Sequence, residues 1–319
     1  MVLSSYRMHR IYLAATMAYG LGSDDPEELA YYDKLRKEMA NKLDTSVDKT
    51  TVKEIKDKLA VELPNEHTER YVAIARHFGC FIQTGSFLEY DKAYPGHIFN
   101  TTLLIGPEGI LTKYRKVNPW IPWEVHSSPH DIPEYGEEIF PVADTELGKI
   151  AVATCYDWLF PETIREMAFR GAEIMIRISA YMDPWGTSEP MNWWTLINRT
   201  RALENMTYVV ASNQGAKMSN YPPFSWPGGS MIVDYDGRIL SQADPGPGEK
   251  VVVAPISVQA LRDERERRLG HDTITHSRNG LYTYLSSERL QPAKENITIA
   301  SLKKRILEAK GRNSQKKTD

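Results

Sequence analysis

The chain has 319 residues, 41% hydrophobic and 10% aromatic, which is enough apolar material to bury a sizeable core and excludes intrinsic disorder for most of its length. Its 39 Lys and Arg nearly balance 42 Asp and Glu, so a net charge of -3 offers no global field to hold nucleic acid or an anionic membrane surface. A small neutral partner is the expectation. Two cysteines, Cys80 and Cys155, exclude a disulfide framework and favour a thiol-keeping cytoplasm.

In chain order, the apolar run from Ile11 to Leu21 is too short to span a bilayer. Residues 24–59 are charged, with apolar residues at helical spacing, and Asp24 or Asp25 ahead of Pro26 makes a helix start. They read as two surface helices in an N-terminal extension covering 1–60. From Val61 the texture changes to short apolar runs of strand length, alternating with amphipathic helices. Strands are predicted over 78–87, 99–107, 149–155, 173–179, 207–213, 229–235 and 250–256. Helices fall near 66–77, 161–170 and 190–205, and hairpin turns at 107–109 and 235–238. The pattern predicts an α/β domain over 61–285, its sheets covered by helices on their outer faces. Residues 286–319 form a tail with a short basic helix, read as a solvated or partner-contacting extension. No repeat of solenoid or propeller period occurs.

Cys155 ends the run IAVAT and precedes YDWLFPE, in which Pro161 and Glu162 open the next helix. A thiol at a strand-to-helix elbow lies where α/β proteins bind ligands, beside backbone N–H groups free to stabilise an oxyanion. Position alone leaves a packed structural cysteine open; Cys80, among apolar neighbours, reads as core. A second cluster covers 113–124. Lys113, Arg115 and Lys116 lead into a loop stiffened by Pro119 and Pro122 and lined by Trp120 and Trp123. Aromatic walls around a charge describe a small-ligand pocket, and a basic hairpin end is the plain alternative.

Other candidates carry less. His126, His130 and Asp131 have metal-ligand spacing only on a helix, which Pro129 opposes, so no metal is expected. No phosphate-binding glycine loop occurs, and no nucleotide cofactor is implied. Asp157 reads as a local backbone acceptor and Glu162 as a helix N-terminal charge. Trp185, Trp193, Trp194 and Trp226 read as core or subunit contacts, Trp185 being the one best suited to touch substrate.

Taken together and in this order, the two clusters resemble the nitrilase, or carbon-nitrogen hydrolase, superfamily, most closely its aliphatic amidase and formamidase branch. The resemblance rests on Tyr114, Arg115, Lys116, Val117, Pro119, Trp120, Pro122 and Glu124, then on Cys155, Asp157, Pro161 and Glu162. It continues through GAEIMIRISAYMDP (171–184), RALENMTYVVASNQG and DYDGRIL, and weakly to HSRNGLY (276–282). It implies a four-layer αββα sandwich, here without the first strand-helix-strand unit. It also implies hydrolysis of a short aliphatic amide to acid and ammonia through a cysteine thioester, without a cofactor, in a homo-oligomer built through the helices near 161–205 and the C-terminal segment.

Carried over position by position, the resemblance makes Cys155 the nucleophile. Lys116 and the backbone N–H of Tyr156 hold the oxyanion, Glu124 positions Lys116 and the attacking water, and Trp120, Tyr181 and Met182 wall the acyl pocket. The superfamily's base is a glutamate in an upstream V-V-x-P-E strand, and no glutamate precedes Glu27. The base is unassigned here. A start lying upstream is the first expectation, with substitution by a carboxylate such as Glu124, or weak catalysis, as the others. Two other functions compete: nitrile hydrolysis, and a non-catalytic binding or scaffold protein on the same fold.

Overall fold

The computed structural model describes residues 59–120, 126–181, 187, 190–216, 226–246 and 248–282. The predicted surface helices of 24–59 and the basic tail lie essentially outside them.

Helix α1 (Glu66–Phe78) opens on Asn65, whose side chain accepts from the backbone N–H of His67 at 2.9 Å and of Thr68 at 3.1 Å. It stops at Gly79, which adopts the left-handed conformation that a side chain would strain. The predicted strand over 78–87 is two short strands, β1 (Ile82–Gln83) and β2 (Phe87–Tyr90). Both pair antiparallel with the same side of β3 (Ile98–Gly106), and β4 (Gly109–Arg115) pairs with the other. Cys80, just before β1, is only part-buried and does not join the core as expected.

A second sheet has six strands in the order β12-β11-β8-β7-β6-β5. These are β5 (Val142–Thr145), β6 (Gly148–Thr154), β7 (Ile174–Ser179), β8 (Tyr208–Asn213), β11 (Met231–Val233) and β12 (Ile239–Gln242). β6, β7 and β8 run parallel at its centre, and the flanking pairs are antiparallel. The short pair β9 (Gly215–Ala216) and β10 (Trp226–Pro227) stands apart. Helices α2 (Pro161–Phe169) and α3 (Trp193–Asn205) return the chain between the parallel strands, as parallel pairing requires. Helix α4 (Val258–Arg267) was not legible in the apolar pattern, since Leu261 is its one buried residue.

Three cores define the four layers. Val72 and Ala75 of α1 meet Phe87, Leu103 and Ile105 on the outer face of the small sheet. Leu104, on the opposite face of β3, packs between the sheets with Ala143, Ile150, Ile174, Tyr208 and Leu261. The far face of the large sheet, with Ala151, Met175, Val209 and Ala211, packs on Ile164, Met167, Trp194 and Ala202 of α2 and α3. Period-two alternation along β3 and β8 assigns residues to these faces, giving an αββα sandwich.

One predicted strand joins no sheet. Residues 250–256 have no ladder partner among the described residues, and Val251 and Val253 are 89% and 77% exposed. Strand propensity names residues that fit a pleated surface, and it does not supply the neighbour.

Candidate functional site

β6 ends at Thr154 in extended conformation, and the next residue, Cys155, has φ 50°. Left-handed backbone is uncommon for a residue with a side chain and is held only where its surroundings impose it. Here the chain reverses into a 3-10 turn (Cys155–Leu159) and then α2, whose first residue is Pro161. Trp158, fully buried, donates its indole N–H back to the carbonyl of Ala153 at 3.0 Å and packs the turn down. The Cys155 side chain stands at the C-terminal end of a central parallel strand, almost wholly buried.

Asp157 holds this elbow against the end of β4. Its Oδ2 accepts from the Thr154 N–H at 3.0 Å and from the Tyr114 hydroxyl at 2.7 Å. Its Oδ1 accepts from the backbone N–H of Asn118 at 2.8 Å and from that side chain's Nδ2 at 3.1 Å. Asn118 Nδ2 also donates to Thr163 of α2 at 3.0 Å. Between Tyr114 and Asn118 lies Lys116, fully buried, its N–H bonded to the Asn100 carbonyl at 2.8 Å so that the β3–β4 ladder runs one residue past β4.

Burial pushes the Asp157 carboxyl up, opposed by the nearby Lys116 charge and by the bonds from Tyr114, Asn118 and Thr154, and its pKa ends above the ordinary value. Burial also pushes the Tyr114 phenol well above its usual range, aided by the Asp157 charge, so the shared proton stays on Tyr114. The elbow is thereby fixed by a donor that does not titrate near neutrality.

On the other flank Tyr181, also buried, donates its N–H to Asn213 Oδ1 at 2.8 Å, and Asn213 Nδ2 reaches the Tyr181 carbonyl at 3.2 Å. Burial pushes the Tyr181 phenol up to about 12, partly opposed by Arg177, and Cys155 lies close enough to contribute. Tyr156 is half-buried with its ring edge-on to Phe160, centroids 5.1 Å apart. Trp120, two residues beyond Asn118, is half-buried as well.

The elbow thus draws 114–118, 154–157 and 181 together, while Glu124, Met182 and Trp185 lie outside the described residues. Sequence reasoning read Asp157 as a local acceptor, whereas it also joins two strands of different sheets. It passed over Arg177, although an arginine inside the apolar strand EIMIRIS is itself a signal. Of the tryptophans, Trp194 and Trp226 are core and Trp193 is partly exposed. Among the described residues no three His, Cys, Asp or Glu side chains lie together as metal ligands, and no helix is long and apolar enough to cross a membrane.

An αββα sandwich with a buried cysteine at a strand-to-helix elbow defines a class, and comparison with known proteins places the chain in it. The carbon-nitrogen hydrolase model matches residues 49–266, and the chain belongs to that family. The formamidase of Bacillus thuringiensis (strain Al Hakam) is 35% identical over 159 residues, covering 49% of this chain and 43% of that protein. The match thus spans less than half the length of such curated relatives. Nit3 of Saccharomyces cerevisiae, a member of branch 10 of the nitrilase superfamily, superposes with a TM-score of 0.56 at 26% identity, over 70% of this chain and 77% of that one. A mutant amidase from Nesterenkonia sp. AN1, carrying the acetamide moiety of fluoroacetamide on its active site cysteine, shares the fold with a TM-score of 0.55 at 22% identity, over 72% of this chain and 76% of that one.

Proposed function

We propose that this chain takes part in hydrolysing a short aliphatic amide to carboxylic acid and ammonia, with Cys155 as nucleophile. The observation that supports it is the left-handed elbow at Cys155, tied through Asp157 to the segment bearing Lys116. The Cys155 thiolate attacks the amide carbon, and the carbonyl electrons move to oxygen. The Lys116 ammonium and the Tyr156 N–H stabilise that oxyanion. Collapse expels the amine, which leaves as ammonia after gaining a proton, and a thioester remains. Water then adds to the thioester carbon, releasing the acid and restoring the thiol. Glu124 is the carboxylate assigned to positioning Lys116 and the water, with Trp120, Tyr181 and Met182 around the acyl group. The step that removes the thiol proton is assigned to no residue. The chemistry calls for no metal or organic cofactor.

Two free cysteines fit a cytoplasmic setting. A homo-oligomer fits the exposed apolar residues Met191, just ahead of α3, and Trp193, Leu196 and Leu203 along it. The test is ammonia release from formamide, acetamide and propionamide by the chain and by Cys155→Ala, with intact-mass detection of the acylated protein. Release with an acyl adduct on Cys155, both abolished by the substitution, supports the reading. If both proteins are silent while amides still bind, the binding or scaffold reading replaces it, and turnover of nitriles alone makes the protein a nitrilase.

A further inference from the structure

Arg177 is fully buried in the middle of β7, on the face that packs against α3. Its register partners are Ala153 of β6 and Ala211 of β8, small residues that leave its long side chain room. Three aromatic rings enclose the guanidinium: Trp194 at 4.3 Å from its carbon to the ring centroid, Tyr181 at 5.4 Å and Trp158 at 5.5 Å. One nitrogen, Nη1, donates to Asn198 Oδ1 at 2.8 Å. Nε and Nη2 are buried with no hydrogen-bond partner among the described residues. Among the described residues no carboxylate acts on this cation, and Cys155 is the first of the groups that sustain its charge against burial.

A desolvated cation without a counter-charge is costly, and interior charges are normally paired. Ring faces supply part of the compensation. Among the described residues the group that shares this enclosure is the Cys155 sulfur, since Cys155 follows the register partner Ala153 by two residues and packs in one cluster with Trp158, Tyr181 and Trp194. Among the described residues the other charged and titratable groups around the elbow are Asp157 and Tyr156 in the turn, Tyr114 and Lys116 from the β4 side, Tyr181 beyond β7, and Arg201 of α3, whose Nε reaches the Trp158 carbonyl at 3.1 Å. Asp157 is occupied by its own donors, and both tyrosines with a resolved shift are held protonated.

We propose that Arg177 is a positioning residue whose guanidinium, walled by Trp158, Tyr181 and Trp194, holds the Cys155 sulfur as thiolate at the elbow. This rests on Cys155 being the nucleophile. Lys116 remains the oxyanion partner, so two cations divide the work: one faces the attacking sulfur and the other the oxygen that becomes charged.

The test is alkylation by iodoacetamide, followed site by site by peptide mass mapping, with half-buried Cys80 as internal reference. In the native protein Cys155 is expected to react well ahead of Cys80. Arg177→Met, checked for folding by circular dichroism, should slow Cys155 about tenfold or more at neutral pH, leaving Cys80 unchanged. Arg177→Lys, which disturbs the same aromatic enclosure but keeps a charge, should recover most of the rate. An unaltered Cys155 rate in Arg177→Met overturns the proposal while leaving the nucleophile in place. A native Cys155 no faster than Cys80 overturns the nucleophile and the proposal together.

If Arg177→Met fails to fold, Arg177→Gln is read by the same alkylation instead, and a Cys155 rate there equal to that of Arg177→Lys rejects Arg177.

Discussion

Two of the buried arginines, Arg115 and Arg177, have opposite arrangements. Arg115, at the end of β4, donates Nε to Glu89 at 2.8 Å and Nη2 to the same carboxylate at 2.7 Å. Its Nη1 reaches Glu137 at 2.8 Å, and Asp91 closes on Nη2. Phe99 lies 4.1 Å beneath the guanidinium carbon, with Tyr94 and Tyr135 farther out. Burial works against this cation, but Glu89 and Asp91 outweigh it and hold the pKa above its ordinary value. Arg177 has similar aromatic walls but, among the described residues, one amide and no carboxylate, and burial brings it down to about 10. The comparison teaches that a saturated cation is structural cement, whereas an unsaturated one beside a thiol keeps donors in reserve.

Removing each cation separates the two. Arg115→Met leaves the buried Glu89 carboxylate only Lys113, at 3.3 Å, as a counter-charge and is expected to cost about 3–5 kcal/mol by denaturant titration. A loss under about 1 kcal/mol would mean that the network is not cement. Next in size, Asp157→Ala frees four donors at the elbow and is expected to cost about 2–3 kcal/mol while slowing alkylation of Cys155. Unchanged alkylation would sever the link from Asp157 to the sulfur.

A smaller, pH-dependent effect belongs to Glu173. Burial opposes its charge, but Arg262, at 2.6 and 2.9 Å, and the Lys149 N–H hold its carboxyl below the usual range. Its folded pKa being the lower one, its stabilisation is complete above the ordinary value of 4.5 and is lost as pH falls through the folded value. Glu173→Gln should therefore melt below the native protein at neutral pH, with the gap closing in acid. A gap independent of pH would refute the assignment. Smallest is Arg177→Met in stability terms, expected within about 1 kcal/mol of native because no carboxylate among the described residues is left behind. A loss as large as that of Arg115→Met would make the two arginines alike.

Much of this site was legible in the chain. Cys155 at the end of an apolar run before Pro161 and Glu162 already marks a strand-to-helix elbow, and Lys116 stands in a motif whose aromatics and prolines single it out as a candidate. The long-range half of Asp157's role was hidden, because Tyr114 and Asn118 come to it from another sheet and no local pattern records sheet stacking. The strand expected over 250–256 failed for the same reason: alternating valines state a preference, and a neighbour decides whether it is satisfied.

The amino-acid order alone determined the alternation of strands and helices and the turn chemistry, since these follow from local sterics and from the period of apolar side chains. Tertiary structure alone decided which buried charges find partners. Arg115 and Arg177 are the same residue type, each in an apolar setting, and only the folded neighbours, carboxylates for one and a sulfur for the other, make them different. Coulomb energy depends on distance through space and on the dielectric between groups, neither of which is written in residue order.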